Sequence, residues 1–254
     1  MRILILNPNT TEAITTLLEH AAAGAAAPGT ELITATAPRG FPYISTKAEA
    51  QISGAIALEA LAECHREVDA AIIAAFGDPG LFAARELFDI PVVGMSEAAM
   101  LTACMLGQRF AIVTFAEALG SWYRDCVAMH GMTERCVGIR FSDQPFSTLA
   151  TVQEEKEERL VALALQAVEE DGADVVILSG APLAGLAPKV ADRIPVPVID
   201  PIAAAVKQVE TLVALSPRKP TVGAFRRPAA KATLGLDPAL AMLFEHRDVP
   251  RAAE

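Results

Sequence analysis

This sequence has fewer basic than acidic residues, and it has no long apolar stretch. Lysine and arginine number 21 against 31 acidic residues, which gives a formal net charge of -10. An acidic surface repels phosphate backbones, so we expect no nucleic-acid partner. No stretch reaches the roughly 18 consecutive apolar residues of a membrane-spanning helix, so we also expect no contact with a membrane. The apolar run at residues 3–6 is too short for a signal-peptide core, and we predict a cytoplasmic protein.

Cysteine is scarce, and its spacing argues against the common cysteine-based sites. The four cysteines form no CxxC pair, so the sequence predicts no zinc site, and we expect reduced thiols. The chain has no GxGxxG after its first predicted strand, no P-loop lysine motif and no GxSxG elbow. We therefore predict a protein without a cofactor or a metal ion. The cysteines are Cys64, Cys104, Cys126 and Cys136.

Short apolar segments alternate with amphipathic ones up to about residue 215. The short segments are bounded by Asp, Gly or Pro, which predicts strands, and the longer ones follow a helical pattern. Apolar strands that alternate with helices indicate an α/β fold with parallel sheets. The predicted strands are residues 3–6, 31–36, 70–75, 92–95, 110–114, 136–140, 175–178 and 196–199. The predicted helices include residues 11–25, 48–67, 80–88, 98–106, 152–170 and 202–215.

An internal repeat relates the two halves of the chain. The segment DAAIIAAFGDPGLFAARELFDIPVVGMSEAA begins at residue 69, and DVVILSGAPLAGLAPKVADRIPVPVIDPIAA begins at residue 174, an offset of 105 residues. At that offset Ala75 corresponds to Gly180, and Gly80 corresponds to Gly185. Ordinary repetition of strand-turn-helix units would give a similar order of elements, but it would not align the Gly-Leu pairs at one offset.

The repeat predicts two pseudo-symmetric α/β lobes, at residues 1–100 and 105–205, each a parallel sheet flanked by helices. Ligands of open α/β sheets bind beyond the C-terminal ends of the strands, so we expect a ligand cleft between the lobes. The helix at 202–215 is a candidate to pack back on the first lobe. Residues 216–254 lose the periodicity, and we interpret them as a C-terminal tail that packs on the body, packs on a partner subunit or is mobile.

Four loops that follow predicted strands carry the candidate functional groups. Asn9 lies in NPNTT, where its amide either contacts a ligand or supports the helix start. Asp78 lies in FGDPG and is either a general base or a cap of the helix that follows. Thr114 ends the strand that opens the second lobe. Ser179 precedes a helix N-terminus whose free N–H groups would favour an anion.

The candidates divide into acid/base groups and binding groups. Glu97 is a further acid/base candidate, although a glutamate in this place more often caps or pairs. The predicted catalytic residues are Asp78, Glu97 and Ser179. The predicted substrate-binding residues are Asn9, Ser45, Thr46, Ala75, Phe76, Gly77, Thr114, Gly180, Ala181 and Pro182. Tyr43 is a further candidate ligand contact. Four histidines are expected to lie on the surface or to pack, namely His20, His65, His130 and His246.

The motifs NPNTT, FGDPGL, GMSEAA and APLAGLA together resemble the aspartate/glutamate/hydantoin racemase superfamily, and most closely its hydantoin and allantoin racemase branch. The resemblance covers about residues 1–215 and implies the duplicated two-lobe fold and a cofactor-independent racemase, which is an isomerase. In that family two cysteines, one from each lobe, flank the acidic α-carbon. One thiolate removes a proton and the other thiol supplies one. The resemblance also implies a homo-oligomer.

This sequence departs from the family pattern at both cysteine positions. The resemblance places the first thiol where Ala75 stands and the second where Gly180 stands. We therefore predict an enzyme of the racemase superfamily that acts on a small polar, amino-acid-like or hydantoin-like substrate by acid/base chemistry without these thiols. Two alternatives stay open: a lyase or hydrolase on the same scaffold, and a small-molecule binding protein without chemistry.

Overall fold

Parallel strands form the frame of the protein in the computed structural model, which describes residues 1–142, 145, 147–149 and 151–248. The strands found in these ranges are β1 (Arg2–Asn7), β2 (Glu31–Thr36), β3 (Ala70–Ile73), β4 (Val92–Gly94), β5 (Phe110–Thr114), β6 (Cys136–Phe141), β7 (Val175–Ser179) and β8 (Val198–Ile199). They form two four-stranded sheets, in the orders β2-β1-β3-β4 and β6-β5-β7-β8. The second order repeats the first, because each strand number rises by four.

Helices connect the strands. The described helices are α1 (Glu12–Ala25), α2 (Lys47–Cys64), α3 (Leu81–Leu87), α4 (Met95–Leu106), α5 (Gly120–Met129), α6 (Val152–Glu169), α7 (Ala187–Val190), α8 (Pro201–Leu215) and α9 (Pro238–Phe244). Helix α2 begins at a capping box, in which Thr46 Oγ1 accepts from the Glu49 amide at 3.2 Å and the Glu49 carboxylate accepts from the Thr46 amide at 3.0 Å. None of the described helices combines the length and the apolar character needed to cross a membrane.

Three predicted strands are shorter in the structure than in the sequence-based prediction. The strand predicted at 92–95 ends at Gly94, because α4 begins at Met95. The strand predicted at 196–199 is reduced to β8, because Pro197 has no N–H to donate to a ladder. The strand predicted at 70–75 ends at Ile73, so Ala74 and Ala75 belong to the turn that follows. Helix α5 is absent from the predicted helices, and it carries several of the residues that matter below.

Equivalent contacts in the two halves confirm the duplicated α/β fold with parallel sheets. The Asp69 carboxylate accepts from the amide of Arg2 at 2.7 Å, and the matching Asp174 carboxylate accepts from the amide of Arg109 at 2.9 Å. The first bond ties the start of β3 to the start of β1, and the second ties the start of β7 to the start of β5. The turn glycines that match in the repeat, Gly80 and Gly185, have nearly the same left-handed backbone, with φ of 82° and 81°.

The last helix of each half packs on the sheet of the other half. Helix α4 follows β4 but contacts β5, β7 and β8, and α8 follows β8 but contacts β3, β4 and α1. The helix predicted at 202–215 therefore lies against the first lobe. Glu210 of α8 is anchored there, because its carboxylate accepts from the Ala27 amide and from Thr30 Oγ1, both at 2.7 Å. The exchange of helices interlocks the two lobes.

The described part of the tail also lies on the first lobe. Helix α9 packs against α2, and its Leu240 and Leu243 are buried in the first-lobe core beside Leu61. The Lys219 ammonium donates to the carbonyl oxygen of Phe88 at 2.7 Å. The described part of the tail thus packs on the body of its own chain.

The left-handed turn at Gly80 gives a direct test of the backbone geometry. A Cβ at this residue would lie 2.8 Å from the carbonyl oxygen of Gly54, so we expect Gly80→Ala to lower the free energy of unfolding by about 1–3 kcal/mol. Gly24, in α1, is the matched control. A Cβ there meets nothing within 4 Å, and Gly24→Ala should raise stability by about 0.5–1 kcal/mol. Urea unfolding of both variants measures these changes. Equal changes in the free energy of unfolding for the two variants would contradict the prediction.

Candidate active site

A small cavity lies between the two lobes, at the turns that carry Ala75 and Gly180. Its volume is about 20 Å³, which is room for one or two water molecules. Most of its wall is aromatic or aliphatic. The lining residues are Asn9, Ile14, Tyr43, Ile44, Ala75, Phe76, Trp122, Tyr123, Gly180, Ala181 and Pro182.

The structure brings six of the predicted binding residues to this cavity, namely Asn9, Ala75, Phe76, Gly180, Ala181 and Pro182. The other four have different neighbours. Ser45 and Thr46 bind the Glu49 carboxylate at the start of α2. Gly77 donates its amide to Ser96 Oγ, and Thr114 Oγ1 donates to the carbonyl of Ser179 at 3.0 Å.

Sequence reasoning missed four lining residues. Trp122 and Tyr123 lie on α5, which is absent from the predicted helices, and Ile14 and Ile44 were not among the predicted binding residues. Trp122 and Tyr123 could have been predicted from their position shortly after β5, since the segments that follow parallel strands face the cleft.

The two positions that the resemblance assigns to thiols face the same cavity but differ in the space around them. Ala75 is almost fully buried and presents its methyl group to the cavity. Gly180 has a φ of 112°, a conformation that L side chains rarely adopt. A Cβ at Gly180 would lie 2.7 Å from Cε1 of Phe115, so a larger residue there requires this ring to move.

Tyr43, from the first lobe, brings a hydroxyl group without a partner to the cavity. Among the described residues nothing lies within hydrogen-bonding distance of this buried oxygen. Burial, and then the negative charge of Glu49, raises the pKa of Tyr43 well above its ordinary value, so the phenol stays protonated at neutral pH. Its ring packs against that of Phe115, with centroids 5.8 Å apart. A buried polar group without a partner is costly, and it indicates a site for a ligand or a water molecule.

Tyr123, from the second lobe, is also buried. Burial holds the pKa of its hydroxyl far above the ordinary value, and interactions with the side chains of Thr114 and Ser179 lower that pKa only in part. Its ring contacts that of Phe76 with a centroid distance of 4.7 Å. Each tyrosine thus packs on an aromatic ring of the opposite lobe.

Asn9 is oriented by the first loop. Its Oδ1 accepts from Asn7 Nδ2 at 3.1 Å and from the Thr11 amide at 2.9 Å. Asn7 Nδ2 also donates to Thr15 Oγ1 at 3.0 Å, which fixes the orientation of both amides. The Nδ2 group of Asn9 has no acceptor among the described residues, so this donor is available to a ligand.

Asp78 lies outside the lining, and its carboxylate has other partners. It accepts from the amides of Ser96 at 2.8 Å and Glu97 at 2.9 Å, and it pairs with His130 Nε2 at 2.9 Å. It therefore caps α4, whereas the sequence offered a cap of α3 or a general base. The side chain is completely buried. These contacts argue against Asp78 as the base for a substrate in this cavity.

Glu97 and Ser179 also have partners outside the cavity. The carboxylate of Glu97 binds the guanidinium of Arg85 and approaches His130 Nδ1 at 3.5 Å. Burial alone would raise the pKa of Glu97, but the hydrogen bonds from His130 and Arg85 outweigh burial and lower it. Ser179 Oγ donates to the carbonyl of Val113 at 3.3 Å. Neither side chain lines the cavity, so their predicted catalytic roles gain no support from this geometry.

His130 departs most from what the sequence indicated. The sequence indicated a surface or packing residue, whereas the side chain is 2% exposed and lies between the carboxylates of Asp78 and Glu97. Burial opposes the charged form, but hydrogen bonds with Asp78, Cys126 and Glu97 raise its pKa, so it is an imidazolium at neutral pH. Its partner Asp78 is 52 positions away in the chain, and no local pattern could reveal this pairing.

Two duplicated α/β lobes with a cavity between the matching turns define a class of small two-lobe α/β proteins. A family model described as Asp/Glu/Hydantoin racemase matches residues 3–209. A hydantoin racemase from Pseudomonas sp. (strain NS671) is 35% identical over 92% of this chain and 95% of its own length. A hydantoin racemase from Paenarthrobacter aurescens is 34% identical over 92% of this chain and all of its own length.

A solved structure agrees with these relatives. The allantoin racemase from Klebsiella pneumoniae superposes with a TM-score of 0.88 at 36% identity, over 94% of this chain and 98% of that one. The chain therefore belongs to the Asp/Glu/hydantoin racemase family, as its motifs indicated. With that membership it is an enzyme of the isomerase class, of the racemase type.

The two tyrosines give a prediction about the protein without ligand. Tyr43→Phe removes a buried hydroxyl that has no partner, so the free energy of unfolding should stay within about 0.5 kcal/mol of the parent or rise. Tyr123→Phe removes a hydroxyl that interacts with the side chains of Thr114 and Ser179, and it should cost about 0.5–1.5 kcal/mol. Chemical denaturation of the two matched variants tests this, and a larger loss for Tyr43→Phe would show that its hydroxyl has a partner.

Proposed function

We propose that this chain exchanges the acidic α-proton of a hydantoin-like substrate in the inter-lobe cavity, and that it does so without cysteine thiols. The observation that carries the proposal is that Ala75 and Gly180, the two positions assigned to thiols by resemblance, line one cavity from opposite lobes. The three relatives described above are hydantoin or allantoin racemases at 34–36% identity, which supports this substrate class.

The cavity offers hydrogen-bond donors to the oxygens of such a ring. The Tyr43 hydroxyl has no hydrogen-bond partner among the described residues, and the hydrogen bonds of the Asn9 amide group use its Oδ1, which leaves its Nδ2 as a donor. Phe76 and Ala181, which also line the cavity, add backbone amides. Donors held in place before the reaction stabilise negative charge that develops on a carbonyl oxygen when the α-proton leaves. The aromatic wall, including Trp122, suits the face of a planar ring.

A five-membered ring needs more room than the cavity of about 20 Å³ provides. Binding therefore requires the lobes to separate or the loop that carries Tyr43 to move. That loop connects β2 to α2, and its residues Arg39, Gly40 and Pro42 are exposed. Closure of such a loop over the ring would exclude water from the donors and strengthen their effect.

The source of the base is the main difference from thiol chemistry. Among the described residues that line the cavity there is no carboxylate, imidazole or thiol, and the ionisable groups are Tyr43 and Tyr123. Their raised pKa values keep both phenols protonated at neutral pH, so they donate hydrogen bonds and do not accept the proton. We expect water or hydroxide to remove the proton, with a rate that rises with pH and reaches no plateau near neutrality.

The test follows loss of the α-proton signal by NMR in deuterium oxide, with 5-substituted hydantoins, allantoin, aspartate and glutamate as substrates. We expect exchange with the cyclic substrates, at a rate that increases from pH 6 to pH 9. Thermal stabilisation by these compounds without any exchange would replace the proposal with ligand binding without chemistry. Loss of exchange in a folded Asp78→Asn protein would return the base role to Asp78.

Introducing a thiol separately at Ala75 and at Gly180 tests the geometry of the two sides of the cavity. Ala75→Cys places a thiol at the cavity without changing the backbone, and a positioned acid/base group contributes about 10²–10⁴-fold, so exchange should rise by that order for one enantiomer. Gly180→Cys is the matched variant. It should give no gain and should destabilise the fold, because of its φ of 112° and the contact with Phe115. Equal gains from both variants would contradict the description of Gly180.

A further inference from the structure

A second cluster of reactive side chains lies beside the cavity without lining it. Asp78 comes from the turn after β3 in the first lobe, whereas Cys126 and His130 lie one helical turn apart at the end of α5 in the second lobe. One ligand atom from each, a carboxylate oxygen, the thiol sulfur and an imidazole nitrogen, lies within 4.8 Å of the other two. All three side chains are almost completely buried.

The groups around the cluster hold it in the orientation that metal ligands require. The amides of Ser96 and Glu97 fix both oxygens of Asp78. His130 turns Nε2 towards Asp78 and Nδ1 towards the carboxylate of Glu97 at 3.5 Å. A carboxylate on the second nitrogen is the usual support of a histidine that binds a metal.

We propose that Asp78, Cys126 and His130 form a binding site for a divalent transition-metal ion such as Zn²⁺, held between the two lobes. Mixed oxygen, nitrogen and sulfur ligands match the preference of Zn²⁺, whereas Mg²⁺ and Ca²⁺ take oxygen ligands almost exclusively. Cys126 and His130 also have the i, i+4 spacing that lets two residues of a helix share one ion. The sequence alone predicted no metal site, because its ligands come from separate lobes and contain no CxxC pair.

The distances are compatible with such an ion after a small adjustment. The Asp78 oxygen and His130 Nε2 are 2.9 Å apart, whereas two tetrahedral ligands of Zn²⁺ stand roughly 3.3 Å apart. The ion would replace the hydrogen that these atoms share. It would also displace the thiol hydrogen of Cys126, and both protons would leave to solvent, so the total charge of the cluster would not change.

The bound ion would have a structural effect on the cavity. The amide of Asp78 donates to the carbonyl of Ala75 at 3.1 Å, so fixing Asp78 also fixes the turn that lines the cavity. The ring of Phe82 covers His130 edge-on at 5.5 Å, and Phe225 of the tail covers Phe82 at 5.8 Å. We therefore expect slow release of the ion to chelators.

The test uses Co²⁺ as a probe of the full-length protein after chelator treatment, with circular dichroism to confirm folding. We expect one equivalent of Co²⁺ to bind and to give a near-ultraviolet thiolate-to-cobalt charge-transfer band that Zn²⁺ abolishes. Cys126→Ser should lose the band, and His130→Gln provides a second variant should the first not fold. Cys136→Ser, which removes a thiol of the same lobe outside the cluster, should keep it.

Glu97→Gln tests the supporting carboxylate and should lower the affinity for Co²⁺ about 10- to 100-fold while the band remains. The proposal is overturned if the parent protein shows no charge-transfer band at saturating Co²⁺, or if a folded Cys126→Ser protein retains the parent band. Because the readout is spectroscopic, it does not depend on whether any substrate is turned over.

Discussion

The close approach of second-lobe aromatic rings to glycine backbone determines the shape of the site. A Cβ at Gly77 would lie 2.2 Å from Cζ2 of Trp122, and one at Gly180 would lie 2.7 Å from Cε1 of Phe115. These glycines let the rings seat directly against the turns, and the small cavity is the space that the rings leave. The absence of a thiol at Gly180 and the narrowness of the cavity thus have the same cause. The backbone and the neighbouring ring are both arranged for a residue without a side chain.

Charge is kept outside this cavity. Asp78 pairs with His130, which also approaches Glu97, and Glu97 pairs with Arg85. None of these four side chains lines the cavity. The lining carries neutral donors and aromatic faces instead. Such a surface suits a planar, uncharged ring with carbonyl oxygens better than it suits a free amino acid, whose carboxylate would meet no fixed cation among the described lining residues.

The fold could be predicted from the sequence because its signals are local or repeated. The alternation of apolar strands with helices and the single offset relating Gly80 to Gly185 are enough to give two parallel α/β lobes. Asn9, Phe76 and Gly180 could be predicted as site residues for a similar reason, since residues just after strands of parallel sheets face the cleft. Local pattern could not give His130, whose partners are brought to it only by the packing of one lobe on the other.

The most direct test of this account is a crystal structure of the protein with a bound planar hydantoin. The account predicts that the ring lies between Ala75 and Gly180, against Trp122, with one carbonyl oxygen within hydrogen-bonding distance of the Tyr43 hydroxyl. A ring bound elsewhere, or a ring whose acidic carbon lies against the carboxylate of Asp78, would contradict it.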